Sequence, residues 1–227
     1  MKKIFSILLG LILSFALIGC QSVAEPEMNT PNTENEINQP QQDIDDLKII
    51  AKGAPVEVRL ASDGQYSYEY DKDEYTVTTV TNDSTFEIKV TDNQPEADSE
   101  NQNHVIVSIP NQSYSLIKGV FEGSSLILPA MNTNITVTST ASSVAMKLPS
   151  DYNKTLNYTG NASSCALSIS NINDFAINAK ISSSSFLVPS DWPAYDMLGS
   201  NYDYTRGKGT AKMNIDVTSS SFAFSNE

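Results

Sequence analysis

Hydrolytic chemistry needs a nucleophile with a base beside it, and three short stretches of this 227-residue chain hold residues of those types. Ser115-Leu116-Ile117-Lys118 matches the S-x-x-K spacing, in which a serine and a lysine meet on one turn of helix. Here the match falls in an alternating, strand-like pattern, where residues three apart face opposite sides. No K-T-G follows it, only Lys208-Gly209-Thr210. Gly207-Lys208-Gly209-Thr210 in turn carries part of a phosphate loop, whose full form is G-x-x-x-x-G-K and then Ser or Thr at the start of a helix. It reads better as a turn before the last strand. Asp71, Asp73 and Glu74 cluster between two Tyr-rich strands, but the alternating ligands and glycine of a calcium loop are missing, so a solvated turn is expected.

The chain has one histidine, His104, and two cysteines, Cys20 and Cys165. A reactive thiol needs a nearby cation or base to lower its pKa, and His104 is far from Cys165 in sequence. Cys165 therefore reads as a small core hydrophobe without a disulfide partner. No acid, base and nucleophile set emerges, and the sequence predicts no catalytic residue, no metal site and no cofactor.

The beginning of the chain, MKKIFSILLGLILSFALIGC, has a basic start, an apolar run from Ile4 to Ile18, and Gly19 before Cys20. This is the pattern of a lipoprotein signal, predicting a signal peptide over 1–19 and a diacylglyceryl anchor on Cys20. Two acyl chains hold far better than one, so the mature protein is expected to be anchored to a membrane and not to span it. Removing Lys2 and Lys3 takes the formal charge from −13 to −15. A chain this acidic, without a basic cluster, is a poor partner for nucleic acid or for bare anionic lipid. Residues 20–46 read as the lipidated cysteine and a disordered tether rich in Asn, Gln, Glu and Pro, and 47–227 as one folded domain.

Five Ser-Ser pairs precede short apolar strands: SSLILP from Ser124, SSVAMKLP from Ser142, SSCALSI from Ser163, SSFLVP from Ser184 and SSFAF from Ser220. The spacing near 20 residues marks a repeat, and the long final gap holds an insertion from about Asp191 to Gly209. Alternating strands accompany the pairs, with Ile135 and Val137, Ile177 and Ala179, and Ile215 and Val217 on one face and Thr136, Asn178 and Asp216 on the other. The expected fold is all-β: a single-domain β-solenoid, parallel β-helix-like, with rungs of about 20 residues, each lying on the last. Serine at the corners supplies local hydrogen bonds to a tight bend. Cys165 should share an inward slot with Val144, Phe186 and Phe222. Upstream, strand pairs are expected with turns at Asp63-Gly64 and Asn82-Asp83 and an acidic loop from Asp92 to Asn103. The alternative is a two-layer β-sandwich, which does not call for phased Ser-Ser corners.

The insertion DWPAYDMLGSNYDYTRG holds the only tryptophan of the chain. Trp192, Tyr195, Tyr202 and Tyr204 are its candidate partner-binding residues, since Trp and Tyr give large contact area with a polar edge. The competing reading has Trp192 and Met197 fold back to plug the wall or cap an end, as repeat proteins require.

Val105-Ile106-Val107-Ser108-Ile109-Pro110, Gly207-Lys208-Gly209 with Ile215-Asp216-Val217, and Ser219-Ser220-Ser221-Phe222-Ala223-Phe224 together resemble the putative-adhesin β-strand-repeat family of bacterial envelope proteins, over about Leu47 to Glu227. The corners depart from that family in carrying Ser-Ser where it commonly has Ser-Gly. The resemblance implies a β-solenoid at the cell surface without assigned activity. The resulting expectation is an extracytoplasmic, lipid-anchored binding or structural module, with the membrane as one partner through Cys20 and an envelope protein or glycan as another. The alternative is an envelope-stress sensor or accessory subunit contacting a membrane protein.

Overall fold

The structure, a computed structural model, describes residues 33–37, 40, 43–94, 103–169, 171–195 and 200–225. The expected signal peptide, Cys20, the tether as far as residue 32, most of the acidic loop and Met197 lie outside the described residues. The chain forms β1 (Thr33–Ile37), β2 (Asp46–Lys52), β3 (Pro55–Ala61), β4 (Ser67–Asp71), β5 (Tyr75–Asn82), β6 (Thr85–Asp92), β7 (Val105–Pro110), β8 (Leu116–Glu122) and β9 (Ser125–Leu128). There follow β10 (Asn134–Thr140), β11 (Ser143–Lys147), β12 (Thr155–Asn161), β13 (Ser164–Ser168), β14 (Phe175–Ser182), β15 (Ser185–Leu187), β16 (Asn201–Arg206), β17 (Ala211–Thr218) and β18 (Ser221–Ser225). No helix occurs among the described residues.

Alternation decides which way each strand faces. In β17, Ala211, Met213, Ile215 and Val217 are buried while Lys212, Asn214, Asp216 and Thr218 are exposed. The inward set predicted for β10 and β14 is likewise buried. Burying one such side chain contributes about 1.5–3 kcal/mol.

The strands make two nine-stranded mixed sheets, β1-β4-β7-β3-β9-β11-β13-β18-β15 and β16-β14-β17-β12-β10-β8-β2-β6-β5. Most neighbours are parallel, and the antiparallel pairs β1/β4, β4/β7, β5/β6 and β14/β16 lie at the margins. The apolar faces of the two sheets share one core. Across it, the ring of Tyr158 in β12 meets that of Phe222 in β18 at 5.4 Å. Each sheet runs open from one margin to the other and the two share one core, so the layering is that of the sandwich alternative and not of a closed solenoid.

The rungs also depart from the expected order, in which each lies on the last. The pair β17 and β18 does not follow β14 and β15 at the end of the stack; it enters between them and β12 and β13. The reason lies in the 191–209 insertion, which carries the chain across the outer edge of β14 as antiparallel β16 and lets it return inside. The beginning of the domain does the same, with β2 between β6 and β8 and β3 between β7 and β9. The pair β5 and β6 forms the hairpin expected at Asn82-Asp83. The Asp63-Gly64 turn does not close a hairpin, because β7 lies between β3 and β4. Residues 33–37, assigned to the disordered tether, pair with β4 as β1.

The Ser-Ser corners are phased across the sheet. Leu126, Val144, Cys165, Phe222 and Phe186 stand in one register, the inward slot expected for Cys165. The first serine of four of the five pairs, Ser142, Ser163, Ser184 and Ser220, both donates and accepts through its Oγ. Ser142 Oγ, Ser163 Oγ and Ser220 Oγ donate to the carbonyls of Thr140, Asn161 and Thr218. The same oxygens accept from the backbone N–H of Ser124, Ser142 and Ser163 in the neighbouring rungs, at 3.1–3.2 Å. Ser184 Oγ accepts from Ser220 N–H and ends this ladder. Each corner needs one left-handed residue before the serine, and Gly123, Ala141, Ala162, Ser183 and Ser219 fill that place with φ between 48° and 57°.

Candidate functional site

The insertion begins with a turn that the chain uses elsewhere. After β15, Trp192 N–H donates to the Pro189 carbonyl at 3.0 Å, and after β11 Tyr152 N–H donates to that of Pro149 at 3.0 Å. Both turns send an aromatic ring inward, and Trp192 and Tyr152 are buried. Met131 and Ile172 are the buried residues at the matching places after β9 and β13. Trp192 is thus the largest of a series of side chains that close the core below each short strand.

Its ring centroid lies 5.2 Å from Phe175 of β14, 5.2 Å from Tyr204 of β16 and 5.3 Å from Phe224 of β18. A second aromatic group surrounds Phe186, with Tyr195 and Tyr202 each at 5.5 Å. Such contacts add about 0.5–1.5 kcal/mol each beyond burial. Tyr202 is buried and its hydroxyl donates to the Pro193 carbonyl at 3.0 Å, pinning β16 to the loop that precedes it. Arg206 lies across Phe175, Trp192 and Tyr204 at 5.8–5.9 Å and is held by Asp191 at 3.0 Å and the Tyr204 hydroxyl at 3.1 Å. Trp192 Nε1 is buried with no hydrogen-bond partner among the described residues.

The four candidate partner-binding residues are therefore gathered at one end of the sheets, in two depths. Trp192 and Tyr202 belong to the packing, whereas Tyr195 and Tyr204 are half-buried and keep a face outward. Tyr195 borders an open groove of about 480 Å³ along β15, lined also by Ile181, Phe186, Leu187 and the Ser183–Ser185 corner. Leu187, 58% exposed, is the apolar residue of this groove that sequence reading missed. Alternation around the inward Phe186 puts Leu187 on the outer face of β15, and the place of β15 at the sheet edge, which the sequence does not show, opens that face to the groove.

The sequence motifs for chemistry resolve into structure. Asp174 takes the place of an anion in the Gly207-Lys208-Gly209-Thr210 turn, accepting from Lys208 N–H at 2.7 Å, Thr210 N–H at 3.1 Å and Thr210 Oγ1 at 2.6 Å. These bonds, led by the Thr210 hydroxyl, hold its carboxyl below the usual range. Gly207 and Gly209 have φ of 68° and 70°, and a Cβ on Gly207 would come within 2.9 Å of the Asn173 carbonyl. Ser115 precedes β8 and Lys118 lies within it, both exposed, with no helix to bring them onto one turn. Asp71 Oδ1 accepts from Asp73 N–H at 2.9 Å and Glu74 N–H bonds the Asp71 carbonyl, the geometry of a turn. No three His, Cys, Asp or Glu side chains among the described residues are grouped to hold a metal ion. Burial pushes the Cys165 thiol well up, the opposite of what a nucleophile requires.

No protein-family model matches the chain, and no curated protein matches it in sequence. Among solved structures, the chain is similar in fold to a "putative cell adhesion protein" of Clostridium sporogenes, with a TM-score of 0.59 at 13% identity over 86% of this chain and 98% of that one. A "putative adhesin" of Bacteroides fragilis aligns with a TM-score of 0.34 at 7% identity over 85% of this chain and 97% of that one. The likeness to the clostridial protein is one of fold, and in this chain that fold is two large β-sheets without a helix among the described residues.

Proposed function

We propose that the protein is a non-catalytic binding module of the bacterial cell envelope, adhesin-like, held outside the cytoplasm by a lipid on Cys20. The observation that carries this reading is the open groove beside Tyr195, set against a rigid aromatic cap at the end of two sheets. Binding sites on rigid scaffolds combine an apolar anchor with a few polar groups, and Leu187, Phe186 and Tyr195 beside three serines have that composition. The fold shared with a protein named for cell adhesion supports the same reading.

The architecture we infer is an open, flattened β-solenoid. Its support is the parallel register of the short strands and the Ser ladder that phases their corners. The occupant of the groove is an envelope protein or a glycan. The membrane contact is through the lipid, and Cys20→Ala should move the protein from the membrane to the soluble fraction. Leu187→Asp and Tyr195→Ala, measured by capture from envelope extracts and by melting, test the groove. Loss of capture at unchanged Tm supports it, and full capture by both variants refutes it.

A further inference from the structure

The first strand of the domain sits at the rim of its sheet. β1 pairs with β4 alone, over five residue pairs from Thr33 with Asp71 to Ile37 with Ser67. Its large apolar side chain, Ile37, is 68% exposed. Two side chains of the β4 end read its sequence. Lys72 Nζ lies 2.7 Å from Glu34, and the Tyr70 hydroxyl donates to Glu36 Oε1 at 3.2 Å. Burial, with Glu36 beside it, pushes the Tyr70 hydroxyl up to about 12, so it remains a donor at any ordinary pH. Glutamates two apart lie on one side of an extended strand, which is the spacing this pair of groups selects.

We propose that the outer edge of β4 is a docking edge for an extended strand bearing Glu-x-Glu, and that in an assembled form its occupant is segment 33–37 of a second copy of this chain. Backbone pairing along an exposed sheet edge gives affinity, and Lys72 and Tyr70 give register and sequence preference. Each copy carries the matching segment, in a stretch joined to β2 by residues 38–45. β1 touches no strand but β4 in its sheet, so it can leave without disturbing the remaining pairs. In a single copy the segment sees its own edge at an effective concentration of about millimolar and fills it. Exchange becomes favourable where copies are crowded. The charged contact is partly exposed, so salt should weaken it.

The probe is the labelled peptide Asn-Thr-Glu-Asn-Glu-Ile-Asn, residues 32–38, followed by fluorescence anisotropy. In the full chain, Glu34→Pro with Glu36→Pro breaks the resident pairing, and this variant should bind the peptide at least tenfold tighter than wild type. A peptide with both glutamates changed to lysine should fail to bind it. That reversed peptide should bind Lys72→Glu, a surface change that leaves the core untouched and so serves even if the proline variant does not fold. No binding to either variant, or equal binding of both peptides, overturns the docking edge. To identify the occupant, copies carrying Asn35→Cys are mixed with copies carrying Glu69→Cys, residues that face each other in the β1/β4 register. Disulfide-linked pairs above the background of each variant alone are expected; their absence overturns the second copy as occupant.

Discussion

Trp192 and Tyr152 occupy equivalent places in two copies of one turn, each with its N–H on a proline carbonyl at 3.0 Å and each with its ring in the core. The recurrence of PSDY at 149–152 as PSDW at 189–192 is therefore a packing signal. Trp192→Ala should lower stability by about 3–5 kcal/mol, as for other buried aromatics replaced by alanine. Trp192→Phe should cost much less, about 1 kcal/mol, because it keeps most of the packing and deletes a buried Nε1 with no acceptor among the described residues. Chemical denaturation of both variants distinguishes these outcomes.

The corner residues make a pair of predictions of opposite sign. Ala141 and Ala162 hold φ of 48° and 50°, a conformation that costs an L-residue about 1–2 kcal/mol. Ala141→Gly or Ala162→Gly should stabilise the protein by about 0.5–1 kcal/mol. Gly123, at φ 57° with open space around a would-be Cβ, should lose a similar amount as Gly123→Ala. The shift of the denaturation midpoint reads both signs.

The Ser ladder should weaken toward its end. Ser163→Ala removes the acceptor of the buried Ser142 N–H and should cost about 1–3 kcal/mol. Ser184→Ala orphans the Ser220 N–H where the corner is part-buried, and water can replace the lost oxygen. Its cost should be less than half, and amide hydrogen exchange at Ser142 and Ser220 would show the same order.

Stability should fall at alkaline pH. Burial raises the phenols of Tyr68, Tyr75, Tyr114, Tyr152 and Tyr158 far above their ordinary value near 10. Groups raised in the folded state contribute their stability in full below the unfolded value and lose it as pH rises toward the folded one. These tyrosines should leave stability unchanged up to about pH 9 and erode it above about pH 10. The phenolate absorbance of these five should then appear in one step with unfolding, and Cys165 should resist alkylation until that step.

Much of the local structure was legible in the sequence. Alternation in β10, β14 and β17 gave the buried faces, and the Ser-Ser phasing gave the register in which Cys165 aligns with Val144, Phe186 and Phe222. The order of the rungs was not legible. Parallel strands of similar composition fit beside several neighbours, and the crossing of β16 along the outer edge of β14 is what lets β17 enter beside β12. The candidate partner-binding residues divided for a related reason. An aromatic in a loop can serve the core or the surface, and the repeat position of Trp192, set by its turn, decides for the core, while Leu187 became visible only once β15 was known to be an edge.

The most direct test of the binding account is capture from envelope extracts by wild type and by Leu187→Asp, with thermal melting of both in parallel. Leu187 is exposed and outside the aromatic packing, so its replacement should leave Tm unchanged. The account predicts a specific captured species that Leu187→Asp loses at least tenfold. Equal capture by the two proteins, at equal Tm, would contradict it.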